Sequence, residues 1–178
     1  MLPVGSSIPA FSLKATVSRD LPTAFETVTD QSHPGKWKLF FFYPKDFTFV
    51  CPTEIRGFAD MNAQFADRDC QVYAASTDSE FVHLAWRKDH KDLHELPFPM
   101  LADIKKEFSQ ALGILTDEGV AARATFLVDP QGTIRFVYVT DGSVGRNPAE
   151  VLRVLDALQT DELCPCNWQP GQAPLQAG

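Results

Sequence analysis

"FFYPKDFTFVCPTE", residues Phe41 to Glu54, passes from apolar side chains through a proline-bearing turn to one cysteine and a second proline. The residues just ahead of it extend the apolar run over 37–43, as expected of a strand buried on both faces. Pro52 biases Cys51 toward an extended conformation and is itself suited to the first position of a helix. Glu54 then falls at the third helical position, where a carboxylate helps cap a helix start. Ile55, Phe58, Met61 or Asn62, and Phe65 follow at helical spacing. The stretch reads as strand, loop and helix, with a thiol at the junction.

Working outward, "CQVYAAST" (70–77) predicts a second strand, and "SEFVHLAWRKDH" (79–90) a second helix with Phe81, Leu84 and Ala85 inward. A short strand around "PMLA" and a helix over "IKKEFSQAL" come next. "RATFLVD" and "TIRFVYVT" are joined by "PQG", the signature of a hairpin. Asn147 caps a last helix, with Pro148 and Glu150 in its first turn and Val151, Leu152, Leu155 and Leu158 on one face. Strands alternating with helices imply an α/β domain, a central mixed sheet flanked by helices, over residues 1–159. From 160 to 178 the chain carries Pro, Gly and Gln with two cysteines and little periodicity, so it reads as an arm that needs something to dock on. A thiol at a strand-to-helix junction is where thioredoxin-like folds do their chemistry.

Composition narrows the function classes. The chain has 178 residues, enough for one domain, and is 44% hydrophobic with 14 Phe, enough for a sizeable core. Its net charge of −7, without a Lys/Arg block, gives no electrostatic support to binding nucleic acid or an anionic membrane. The N-terminus has no basic stretch followed by a long apolar one, and no run approaches the roughly 20 apolar residues of a membrane span. The expectation is a soluble, cytoplasmic protein, a setting where structural disulfides are rare. The four cysteines then need separate explanations. Cys70 heads an apolar strand and is expected in the core. Cys164 and Cys166 are too close to serve readily as zinc ligands, and His33, His83, His90 and His94 show no ligand spacing, so no metal or cofactor is expected. Trp86 is expected in the core.

For Cys51 the bland reading is an inert buried thiol. Against it stands its place in the first turn of a helix, where free N–H donors and a partial positive charge favour the anion. A free cysteine is only about 3% thiolate at neutral pH, so full ionisation gains at most roughly 30-fold. A fast thiol enzyme needs more, namely donors aimed at charge that develops in the transition state. Thr48 offers a hydroxyl, and Arg123 or Arg146 a guanidinium. Glu54 sits close enough to oppose a thiolate unless an arginine neutralises it, which points to pairing with Arg146 or Arg123.

The run Pro44-x-x-x-Thr48-x-x-Cys51 resembles the active-site motif of the peroxiredoxins, and "PKDFTFVCPTE" resembles that of their typical 2-Cys group. The resemblance continues in order through "FPMLAD", "RATFLVDPQG", "SVGRNPAEVLRVLDALQ" and "ELCPCNWQPG". It implies a thioredoxin-like fold and a thiol peroxidase that reduces hydrogen peroxide and alkyl hydroperoxides without a cofactor. Cys51 would be the peroxidatic cysteine, with Pro44, Thr48 and Arg123 around it, Glu54 and Arg146 behind it, and Cys164 as the resolving cysteine of a neighbouring subunit. It also implies a homodimer assembled into a ring. Cys166 resembles the extra thiol of a three-cysteine subgroup, a relay or backup resolver, which implies as reductant an AhpD-like CxxC adaptor rather than the flavoprotein of other bacterial members, with a thioredoxin-like reductant as the alternative. The competing reading is a thioredoxin-fold redox sensor or holdase chaperone. Thr48, Arg123 and Cys164 in register favour the peroxidase, since a binding module does not need them.

Overall fold

In the computed structural model, which describes residues 1–176, the apolar run becomes β3 (Trp37–Phe42), a strand at the heart of a seven-stranded sheet. It pairs in parallel with β4 (Cys70–Ser76) and antiparallel with β6 (Arg123–Val128). Successive side chains of a strand point to opposite faces. Leu39 and Phe41 accordingly enter one core and Phe40 and Phe42 the other, all with 1% exposure or less. The sheet runs β2-β1-β5-β4-β3-β6-β7, with β1 (Ser12–Thr16), β2 (Phe25–Thr29), β5 (Met100–Ala102) and β7 (Ile134–Thr140) completing it.

The first core is covered by α1 (Cys51–Asp60), α2 (Asn62–Ala66) and α5 (Pro148–Thr160), which contribute Ile55, Phe58, Phe65, Val151, Leu152 and Leu155. On the other face α4 (Glu107–Ala111) and its continuation contribute Phe108, Leu112 and Ile114. The β6–β7 hairpin turns where expected. Asp129 accepts the N–H groups of Gln131 and Thr133 there, and Gly132 takes the left-handed φ of +86° that the turn requires.

The structure departs from the sequence reading in several places. The helix beginning at Cys51 breaks at Met61 and restarts as α2. The helix expected over 104–112 is shorter, because Asp103 accepts the N–H groups of Phe108 and Ser109 and so fixes a later start. In α3 (Glu80–Asp89) Phe81 and Ala85 face outward, while His83, Trp86 and Arg87 join Leu84 inside. Two of those residues are polar, and burial is tolerated because each finds internal partners. His83 meets Asp46 and the Leu101 carbonyl, and Arg87 donates to the carbonyls of Thr16 and Leu96. Phe81 instead packs on Phe25 of β2, ring centroids 4.8 Å apart. The β1–β2 hairpin is the other addition. Its half-exposed strands carry a weak apolar alternation.

After α5 the chain turns at Asp161, in left-handed conformation, and folds back along the helix. Trp168 is buried, its carbonyl accepts from Arg153 of α5, and its indole donates to the Gln172 carbonyl. Within one chain, then, the arm docks on the helix that precedes it. The final two residues of the 160–178 segment lie outside the described residues. Asn147 caps α5 by accepting from Ala149 N–H at 3.0 Å. Replacing it with Ala should cost about 1 kcal/mol of stability in urea denaturation; an unchanged midpoint would show that the cap contributes nothing.

Candidate active site

The loop from β3 to α1 is held from beneath by buried polar groups. Tyr43 donates to Asp46 Oδ1 at 2.8 Å, Asp46 Oδ2 lies 2.7 Å from His83 Nδ1, and Asp78 Oδ2 accepts from the Asp46 backbone N–H at 2.9 Å. The second ring nitrogen of His83, Nε2, faces the Leu101 carbonyl at 3.1 Å. Both nitrogens therefore meet acceptors, an arrangement that the doubly protonated, charged ring satisfies best. Burial works against that charge, but the hydrogen bond and charge of Asp46 outweigh it and raise the pKa above the usual histidine value. Sequence reasoning missed this tether. Its only signal is a histidine on the same helical stripe as Trp86 and Arg87.

At the end of the loop Val50 already has helical dihedrals, and its carbonyl accepts from the N–H groups of Thr53 and Glu54. Cys51 is thus the first helical residue and Pro52 the second, one step earlier than the pre-proline preference suggested. The fit of a buried thiol and a buried proline overrides that local bias. Glu54 does not cap the helix. Its carboxylate turns inward, only 4% exposed, to the two arginines.

Arg146 holds Glu54 with three donors: its backbone N–H and Nε, both 2.8 Å from Oε1, and one terminal nitrogen 3.1 Å from Oε2. Its other terminal nitrogen donates to the Ala124 carbonyl and Thr125 Oγ1, and its guanidinium lies 5.7 Å from the centre of the Phe41 ring. Arg123 donates from one terminal nitrogen both to Glu54 Oε2 and to Cys51 Sγ, the latter at 3.6 Å. The other is fixed by the Gly142 carbonyl at 2.7 Å. The sequence left open which arginine pairs with Glu54; both do. Burial alone would push the Glu54 carboxyl up, but Arg146 and then Arg123 hold it below the ordinary glutamate value. Two guanidinium groups thus face one carboxylate beside a thiol that is 1% exposed. One positive charge is left over beside the Cys51 sulfur.

The remaining candidates stand apart from this cluster. Thr48 is half-buried and donates to the Lys45 carbonyl at 3.0 Å, not to Cys51; Pro44, also half-buried, begins the loop. Cys70 lies in the core, and burial pushes its thiol up to about 12, so it is inert at neutral pH. Cys164 is half-buried near the C-terminal end of α5, with Sγ 3.5 Å from Thr160 Oγ1 and 3.8 Å from the Ala157 carbonyl. Cys166 is exposed, and both thiols line a cavity of 630 Å³ between the arm and α5. Among the described residues no group of three or more His, Cys, Asp or Glu is placed to hold a metal ion. Among them, too, no helix is long and apolar enough to cross a membrane.

The His83 tether has a signed pH dependence. A raised native pKa contributes stability that is complete below the unfolded value near 6.5 and is lost as pH rises through the native one. The stability gap between wild type and His83→Gln in urea titrations should be widest near pH 6 and narrow on the alkaline side. A gap that stays constant with pH would show that His83 is not charged in the folded protein.

Comparison with known proteins identifies the family and the fold. The sequence profile of the AhpC/TSA family matches residues 4–137. The chain is 55% identical to alkyl hydroperoxide reductase C of Mycobacterium tuberculosis, covering all of this chain and 95% of the relative. It is 44% identical to thioredoxin peroxidase of Fasciola hepatica, covering 96% and 90%. The structure superposes on Mycobacterium tuberculosis AhpC with a TM-score of 0.87 at 55% identity, covering 95% and 99% of the two chains. On reduced Plasmodium vivax 2-Cys peroxiredoxin the TM-score is 0.89 at 34% identity, with 96% and 91% covered. The sheet and its helices are those of the peroxiredoxin variant of the thioredoxin-like fold, and the chain belongs to the AhpC/TSA family.

Proposed function

We propose that the protein is a peroxiredoxin that reduces hydrogen peroxide and alkyl hydroperoxides, with Cys51 as its nucleophile. The observation that carries this reading is the unneutralised positive charge at Cys51 Sγ, supplied by Arg123 and fixed in place by Glu54 and Arg146. Relatives named alkyl hydroperoxide reductase C and thioredoxin peroxidase support it.

The thiolate of Cys51 attacks the terminal oxygen of the hydroperoxide. An S–O bond forms, the O–O bond breaks, and the departing alkoxide or hydroxide takes a proton to leave as alcohol or water. Arg123 is the donor already aimed at that region, so it stabilises the charge that moves from sulfur to the leaving oxygen. Thr48 and Pro44 are assigned to holding the peroxide in line, the Thr48 hydroxyl turning from the Lys45 carbonyl to do so. The sulfenic acid on Cys51 then condenses with the thiol of Cys164, releasing water and leaving a disulfide.

Chain length favours a partner's Cys164 over the chain's own. α5 starts beside Arg146 and runs for 13 residues, about 20 Å, away from the active site. The four residues from Thr160 to Cys164 reach back at most about 14 Å, short of that length. Two chains arranged head to tail as a homodimer, and dimers assembled into a ring, remove the mismatch. Residues 160–178 are then the resolving arm of a peroxidase domain spanning 1–159. Cys166, exposed beside Cys164, suits a relay that passes the disulfide to a dithiol donor by exchange. A CxxC adaptor or a thioredoxin-like protein fits that role.

Purified protein given hydroperoxide and dithiol should consume the peroxide, and Cys51→Ser should not. Oxidised wild type should run as a disulfide-linked dimer on a non-reducing gel. Substantial turnover by Cys51→Ser would overturn the assignment of the nucleophile, and a solely intramolecular disulfide would overturn the head-to-tail pairing.

A further inference from the structure

A second concave site lies away from Cys51, between the β1–β2 connection, the last turn of α3 and the segment leading to β5. It encloses 520 Å³, within the range of small-molecule sites, and its lining is predominantly polar. Its floor is Arg87, only 2% exposed. That guanidinium has five N–H donors, and its partners are neutral: one terminal nitrogen donates to the Thr16 carbonyl at 3.0 Å and the other to the Leu96 carbonyl at 3.1 Å. Its Nε is buried without a hydrogen-bond partner, and no carboxylate lies within ion-pair distance among the described residues. A buried charge in that condition is costly, and an anion brought to it offsets the cost.

The rim carries charges of both signs. Arg19 and Lys88 line the same cavity, with Asp20 and Glu95 as its acidic residues. Arg19 is paired with Glu95, but that bridge is solvent-exposed, 39% on one side chain and 82% on the other, so it holds Arg19 weakly. Burial lowers the Arg87 pKa to about 10; Glu95 opposes that fall and the neighbouring Arg19 adds a smaller push in the same direction as burial, so Arg87 remains charged at neutral pH. The lining thus carries three cationic side chains against two acidic ones, on a protein whose net charge is −7.

We propose that this cavity binds the phosphate group of a small molecule, held by Arg87 from below and by Arg19 and Lys88 at the rim. Guanidinium forks match phosphate oxygens, and a doubly charged oxyanion compensates converging arginines better than a carboxylate does. The space extends beyond one phosphate, so both the free ion and a small phosphomonoester fit the chemistry. The site is independent of the thiol chemistry.

Calorimetric titration of the reduced, full-length protein with inorganic phosphate and, separately, with adenosine monophosphate tests this at constant ionic strength, with chloride as control. One saturable site per chain is expected for at least one of the two, and whichever binds more tightly identifies the source of the phosphate. Arg87→Met should abolish binding. Because that substitution also removes the bonds to Thr16 and Leu96 and endangers folding, Arg19→Glu is the second variant. It lies at the exposed rim and should weaken binding at least tenfold. No saturable binding to wild type, or affinity unchanged in Arg19→Glu, would overturn the proposal and leave Arg87 as a clasp between β1 and the segment before β5.

Discussion

Everything at the active site depends on where Glu54 puts its charge. A carboxylate one helical turn from a cysteine sulfur would repel a thiolate formed there, and burial should make it costly. Arg146 removes both problems by saturating the carboxylate from three donors while being locked to the backbone of β6 and to Thr125. Arg123 is then held on the far carboxylate oxygen and on the Gly142 carbonyl, which leaves the same nitrogen facing sulfur. Glu54 acts less as an acid or base than as a jig. Its charge cancels one guanidinium and orients the other.

The wider fold serves that arrangement. β6 carries Arg123 at its first residue, and the neighbouring β7 leads through Gly142 into the turn that returns Arg146 to the site. β3, buried on both faces, brings the loop to the same edge, and α3 supplies His83 to hold the loop from below through Asp46. The loop is not covered from above: Phe49 is 95% exposed and Phe47 is 53% exposed. A charge-balanced floor under an open loop suits the proposed chemistry, in which Cys51 is buried for one step and delivered to a partner thiol for the next.

The sequence made the strand–loop–helix junction, the hairpin, the capped last helix and the isolated thiol legible, because each rests on a local rule. It also exposed the charge problem at Glu54, though not its solution, since choosing between Arg123 and Arg146 requires knowing how β6 and the turn after β7 approach α1. The helix phase of α3 was misread for a related reason. Apolar periodicity assigns Phe81 and Ala85 inward, whereas the buried positions belong to His83 and Arg87, whose partners lie 18 or more residues away for all but one contact. Long-range polar satisfaction leaves almost no periodic trace. The Pro52 rule failed at Cys51 because tertiary packing of the thiol outweighs a local backbone preference.

The central claim is that Arg123 acts on sulfur directly while Arg146 acts through Glu54. The most direct test is the second-order rate of Cys51 oxidation, measured by stopped flow on the reduced protein, for Arg123→Met against Arg146→Met. The account predicts a loss of at least about 100-fold for Arg123→Met, the scale of removing one preorganised donor, and a smaller loss for Arg146→Met. A larger loss at Arg146 than at Arg123 would contradict it.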